Sequence, residues 1–279
     1  MDTTGTTGGI DFAFWFAYFT NGKHLQWLAS VQFTLFAAVL GAAIALVVGL
    51  ATASLRNAPF APLRWLALAY QNLTRGIPDV LFFLFFPLAF EQGLEWVLAK
   101  QVCDPNEVAL RINQWPPCDA ANLHFDTFGY LLLASVSLGL IYGASTSNVI
   151  HGAMRAVPKG QLEAARAYGF SNAQVLWRVH IRQMWIYALP GLSNLWMLLI
   201  KSTSLLSLLQ IVDLVSRAGS LGSPNFNRSA GLVHPDWRWG YYLVLLIFYI
   251  VLTFASERVF GALMRSAGKG IIQPDAGGA

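Results

Sequence analysis

The chain has 279 residues, of which 56% are apolar and only 11% charged, with 10 Trp and 19 Phe. A soluble domain carries roughly 25% charged residues, so this composition excludes a water-coated globule and points to lipid. The net charge of +4 then reads as an orientation signal rather than as a footprint for nucleic acid, which is not an expected partner.

In chain order, the opening MDTTGTTGGIDF has no basic leader, and no signal peptide is expected. An uncharged run over 25–55 is long enough to cross a bilayer with tilt. Its Gly41 and Gly49 suit close helix contact. Pro59 and Pro62, with Arg56 and Arg64, make a short basic turn. A second helix is predicted over 63–97, which at about 1.5 Å per residue is too long for one straight span, so a kink is expected near Pro78. The polar loop 99–126 holds both cysteines, Cys103 and Cys118. In an oxidising compartment they could pair, or they could remain two unrelated thiols. Further spans are predicted over 127–150, 187–212 and 237–262, with a polar segment at 151–186 and a Gly/Ser/Asn loop at 216–236. Helices satisfy every backbone polar group within lipid. The expectation is an all-α integral membrane protein of five spans, folded as one domain over 1–279.

Charge orients it. The Arg56/Arg64 turn, Arg155 with the 159–190 segment, and the tail (Arg258, Arg265, Lys269) hold ten of the 18 Lys and Arg residues, against three acids, Glu163, Glu257 and Asp275. The other side holds six bases and ten acids. Basic loops stay in the cytoplasm, so the N-terminus is expected outside and the C-terminus inside, with a cytoplasmic segment at 151–186 and a periplasmic loop at 99–126.

The 159–190 segment, KGQLEAARAYGFSNAQVLWRVHIRQMWIYALP, is a polar insertion between apolar runs. Good helix formers fill 161–168, Gly169 supplies the permissive backbone that ends a helix, and Ser171-Asn172-Ala173-Gln174 has the spacing of a capping box. A second amphipathic helix should follow, with Val175, Leu176 and Val179 on its apolar side and Arg178 and Arg182 on its polar side. Composition alone allows such a segment to lie on anionic headgroups.

Its residue order is more specific. Glu163-Ala164-Ala165, then Gly169, then Val179-x-Ile181 resembles the EAA motif of permease subunits in ATP-binding-cassette importers. Several other stretches resemble the polar amino acid branch of that family: Ile141 to Ala144, Ala156 to Gly160, Ala188 to Asn194, Lys201 to Leu209, and Arg75-Gly76-Ile77-Pro78-Asp79. The Pro-Asp ending is like subunits of histidine/lysine/arginine/ornithine and opine importers. The resemblance covers roughly 25–265. Arg182 departs from it, because the family has a helix-ending Pro there; the second short helix is therefore expected to run further toward Pro190. The outer loop also looks longer than in the branch.

The resemblance implies a type I importer permease fold in a bacterial inner membrane. It implies a second permease subunit, either a homologue, which the histidine/opine branch favours, or a second copy, together with two ATPase subunits and a periplasmic substrate-binding protein. Glu163, Ala164, Ala165, Arg166, Gly169 and Ser171 would form the surface that couples to an ATPase. This chain has no G-x-x-x-x-G-K-[ST] phosphate loop. Hence ATP and Mg²⁺ are expected on the partner, with no cofactor, metal or catalytic residue here. Glu163 could also be a solvated acid at a helix N-terminus.

Charges within spans are candidate functional residues. Asp79 could receive the cationic group of a basic amino acid, or pair with Arg75 four residues earlier. Lys201 could hold a substrate carboxylate, or pair with Asp79 or with backbone carbonyls. Two other classes fit less well. A membrane enzyme would cluster its reactive groups, but His24, His124, His151, His180 and His234 are scattered. A secondary transporter would be expected to show an inverted repeat.

Overall fold

The computed structural model describes residues 16, 19–104, 107–108, 111, 114–123, 125–209, 211–226 and 234–268. The stretch read for a leader, His124, Lys269 and Asp275 lie outside them. Helices α1 (Gly22–Ala29) and α2 (Val31–Arg56) form the first span. The side chain of Asn21 starts α1 by accepting the backbone N–H groups of Lys23 and His24 at 3.1 and 3.0 Å. Helix α3 (Ala61–Gly76) follows the basic turn, and α4 (Asp79–Val102) is the second span. Helix α5 (Thr127–Ala156) is the third, capped by Asp126 on the Gly129 N–H.

A single kinked helix over 63–97 does not form. Ile77 is extended (φ −95°, ψ 135°), as expected of a residue before proline, and Pro78 caps a separate helix. Helix α3 is not among the five helices long and apolar enough to cross a membrane. It leans on α5 through Tyr70, whose hydroxyl donates to the Leu140 carbonyl at 2.6 Å, and through Gln71 to the Ala144 carbonyl at 3.3 Å.

After α5 come the short helix α6 (Lys159–Ala167) and one turn, α7 (Asn172–Gln174). A π-helical stretch, Val175–His180, leads into α8 (Ile181–Ser202), which passes through Pro190 and tightens into 3₁₀ geometry over Thr203–Leu209. The expectation that Arg182 lets the helix continue toward Pro190 describes this stretch well, since it is helical from residue 172 to 209. Helix α9 (Leu214–Gly222) and the last span, α10 (Arg238–Ala267), complete the chain.

The core sits between α2 and α5, with α8 against them. Close approach is built from missing side chains. A Cβ on Gly49 would lie 2.5 Å from Thr146 Cγ2, and one on Gly139 would lie 2.4 Å from Ile44 Cγ2. Without a hydrophobic drive between helices in lipid, such small-residue contact is what holds spans together. By contrast α4 and α10 turn Leu81, Phe85, Val251 and Phe254 outward, as lipid permits.

Between α4 and α5 the outer loop forms a compact cap. A disulfide joins Cys103 to Cys118, with Cα atoms 5.8 Å apart. Buried Glu95 accepts the Trp115 Nε1–H at 2.5 Å and the Leu123 N–H at 3.0 Å. Arg111 pairs with Asp119 at 2.6 Å and Glu107 at 3.5 Å.

Candidate functional site

The 159–190 segment folds into a protruding knob. Helix α6 ends in a Schellman motif: the Gly169 N–H reaches the Arg166 carbonyl at 2.9 Å and the Phe170 N–H reaches the Ala165 carbonyl at 3.1 Å. Gly169 has φ +83°, a conformation that disfavours any side chain, so its identity is set by the turn. Ser171 and Gln174 then form a reciprocal capping box, with bonds of 2.9 and 3.3 Å.

A second apolar cluster anchors the knob: Ala53 of α2, Ile150, Ala153 and Val157 at the end of α5, and Met184 and Ala188 of α8, with Leu162 of α6 packed against it. Gln183 bonds Gln161 across the two limbs, and a ring nitrogen of His180 lies 2.9 Å from the Met154 carbonyl. Ala165 is buried beneath α6, whereas Glu163, Ala164, Arg166 and Ser171 are exposed. Glu163 makes no hydrogen bond or ion pair with the described residues.

One expectation holds only in part. Of the apolar side assigned to Val175, Leu176 and Val179, Val175 is buried and Val179 half-buried but Leu176 is exposed, while Arg178 and Arg182 are exposed as expected. A π turn bonds i to i+5 and inserts an extra residue per turn, so a face counted at 3.6 residues per turn loses phase. The structure also reveals what motif reasoning missed. Tyr168 is 85% exposed and Trp177 70%, joined by the partly exposed Phe170 and Leu176. Large aromatic groups exposed on a polar protrusion are the kind of apolar surface that marks a contact site. Two aromatics flanking Gly169 were the signal available in the sequence.

Within the membrane, Arg75 ends α3 and Asp79 begins α4, both exposed, and the break at Pro78 separates them. Among the described residues no ion pair joins Arg75 to Asp79, or Lys201 to Asp79, so neither structural pairing forms. Asp79 instead opens a helix, where the dipole favours a carboxylate. It lies within electrostatic reach of Tyr142 on α5. The Tyr142 hydroxyl is 2.5 Å from the Ser202 hydroxyl, next to Lys201 where α8 turns 3₁₀. Tyr142 thus links the neighbourhoods of Asp79 and Lys201; the sequence showed it only as one Tyr in an apolar helix. Thr203 donates to the Ile200 carbonyl at 2.6 Å and steadies this change of pitch.

Residues 45–269 match the family model described as binding-protein-dependent transport system inner membrane component. The chain belongs to that family. Among its relatives is the arginine ABC transporter permease protein ArtQ of Escherichia coli, 32% identical over 223 residues, covering 78% of this chain and 86% of ArtQ. The histidine/lysine/arginine/ornithine transport system permease protein HisQ of Salmonella typhimurium is 31% identical, over 74% of this chain and 77% of HisQ. The octopine transport system permease protein OccQ of Rhizobium radiobacter is 27% identical, over 90% and 94%. In fold, the chain is similar to the crystal structure of an amino acid ABC transporter with histidines, at TM-score 0.65 and 19% identity, covering 92% of this chain and 99% of that one. An inward-facing MetNI methionine ABC transporter chain superposes at TM-score 0.52, with 15% identity, over 86% and 94%. This inner-membrane component is therefore an all-α, multi-pass protein with an amino acid importer permease fold, which carries the knob and the Tyr142–Ser202 pair.

Proposed function

We infer that this chain is the permease subunit of an ABC importer that carries a polar, cationic amino acid or opine across the inner membrane. The observation that carries this is the knob: a braced protrusion that exposes Glu163, without a bonding partner among the described residues, and also exposes Tyr168 and Trp177. Such a surface suits a cleft in an ATPase, with apolar area for affinity and a carboxylate for register. Helix α5 runs from the Cys103–Cys118 cap to the knob, which supports opposite sides of the membrane for the two. Disulfides persist in oxidising compartments, so the disulfide and the basic knob together support an N-terminus outside and the knob in the cytoplasm.

In this reading the subunit does no chemistry. Two ATPase subunits bind ATP and Mg²⁺, and their closure moves the knobs. Because α7, the π turn and α8 form one helical stretch, that movement passes into the fourth span. A second, homologous permease completes the pathway, and a periplasmic binding protein supplies the amino acid. Asp79, within electrostatic reach of Tyr142, and Lys201, next to the Ser202 that Tyr142 bonds, are suited to the cationic and carboxylate ends of the substrate, with Arg75 at the neighbouring helix end. Relatives named for arginine, for histidine, lysine, arginine and ornithine, and for octopine support a cationic substrate.

The test is co-expression with the ATPase, the second permease and the binding protein in proteoliposomes. Glu163→Ala is expected to lower binding-protein-dependent ATP hydrolysis and uptake together by ~10-fold or more, the scale of losing an anchored interface contact. Uptake at the wild-type rate by that variant would remove the knob from the mechanism. Asp79→Asn should reduce uptake of arginine more than that of a neutral amino acid.

A further inference from the structure

At the end of the molecule that carries the disulfide cap, α1, α9 and the Asn225–His234 bridge enclose a cleft of about 890 Å³. Lys23 and Arg217 line it with Asn21, Gln26, Asn225 and His234, and no Asp or Glu is among its described lining residues. Arg217 is held in place: its Nη1 donates to Gln26 Oε1 at 3.0 Å, while its Nε is buried and lacks a partner among the described residues. Asp213, four residues earlier, does not neutralise it. One Asp213 oxygen accepts the Ser216 N–H at 2.9 Å, and no Asp213–Arg217 ion pair forms. The cleft is therefore cationic, and its remaining lining mixes the Asn21, Gln26 and Asn225 amides with the apolar Val212, Leu221 and Pro224.

We propose that this cleft docks an acidic segment of the periplasmic binding protein. A guanidinium held in place by a neutral amide and not paired to an acid among the described residues seeks a carboxylate. Lys23, exposed at the mouth, adds long-range attraction. The Asn and Gln amides suit the backbone of a peptide loop, and Val212, Leu221 and Pro224 suit its apolar side chains. An adjoining aromatic cleft, lined by Phe19, Trp27 and Trp239, has the apolar lining that suits lipid. Dependence on a binding protein is stated in the family's own description, and this cleft opens on the face from which substrate must arrive. The proposal rests on the importer reading above.

The assembled transporter in nanodiscs should be titrated with its binding protein at low and high salt, reading ATP hydrolysis. For wild type, salt should raise the half-saturating concentration of binding protein. Lys23→Glu and Arg217→Gln should each raise that concentration by ~10-fold at low salt and flatten the salt dependence. Lys23 is solvent-exposed, so its variant tests the idea even where Arg217→Gln unfolds α9, which a melting curve would show. Unchanged half-saturation in Lys23→Glu overturns the proposal and leaves the importer reading standing. No stimulation of wild type by the binding protein overturns both. Effects that vanish when anionic lipids are replaced by zwitterionic ones would make the cleft a headgroup site and overturn the proposal too.

Discussion

Asp213 counts in the sequence as one more acid on the outer side, yet its residue is 0% exposed in the fold. One oxygen caps α9 and the other lacks a hydrogen-bond partner among the described residues. Burial is the main cause that pushes its carboxyl up from 3.8 to about 6. Between those values the folded state keeps a proton that the unfolded chain has released. The stability this contributes is thus fully present below about pH 4 and lost as pH rises through about 6. Asp213→Asn keeps the capping oxygen and removes the titration. The variant should gain stability relative to wild type between about pH 4 and about pH 7, by up to ~3 kcal/mol. Melting temperatures of both proteins in detergent across that range would show it, and a constant difference between them would refute it. Glu163 was legible because a motif marked it. Asp213 was not, because burial is a property of neighbours.

Glycines in spans were legible as a class but not in their roles. Gly139 and Gly152 both lie in α5, yet a Cβ on Gly139 would sit 2.5 Å from Ile44 Cβ, and one on Gly152 would meet nothing within 4 Å. Gly139→Ala should cost ~1–3 kcal/mol through overpacking. Gly152→Ala should be neutral or stabilise by up to ~1 kcal/mol, since alanine is the better helix former. Equal melting temperatures for the two variants would count against α2–α5 contact as the organiser of the core. The same scale explains the two boundary errors. Pro78 was foreseen as a kink but ends α3 outright, because Ile77 before it is driven to extended geometry. On the second knob helix Leu176 alone was assigned to the wrong side, where the chain is π-helical and the period was taken as 3.6.

The molecule has two ends of different character. One end carries the knob, fastened by apolar packing beneath it. The other carries the cap, fastened by the disulfide, buried Glu95 and the Arg111 pairs. Reduction should therefore act locally. Opening a loop of 15 residues' separation is expected to cost ~3 kcal/mol of cap stability. Hydrogen exchange in reductant should rise at 111–123 and stay unchanged at 159–174. A uniform rise over both ends would show that the cap supports the whole fold.

The sequence by itself determined the membrane class, the five spans, the charge asymmetry and the order of the knob motif. These depend on local composition and on spacing along the chain, which hydropathy and turn chemistry encode directly. The tertiary structure decided which candidates share a neighbourhood. It parted Arg75 from Asp79, set Tyr142 against Ser202 within electrostatic reach of Asp79, raised Tyr168 and Trp177 to the surface, and gathered Lys23 and Arg217 into one cleft across 194 positions of sequence. Those outcomes depend on how helices far apart in the chain pack against one another, and no local pattern carries that information.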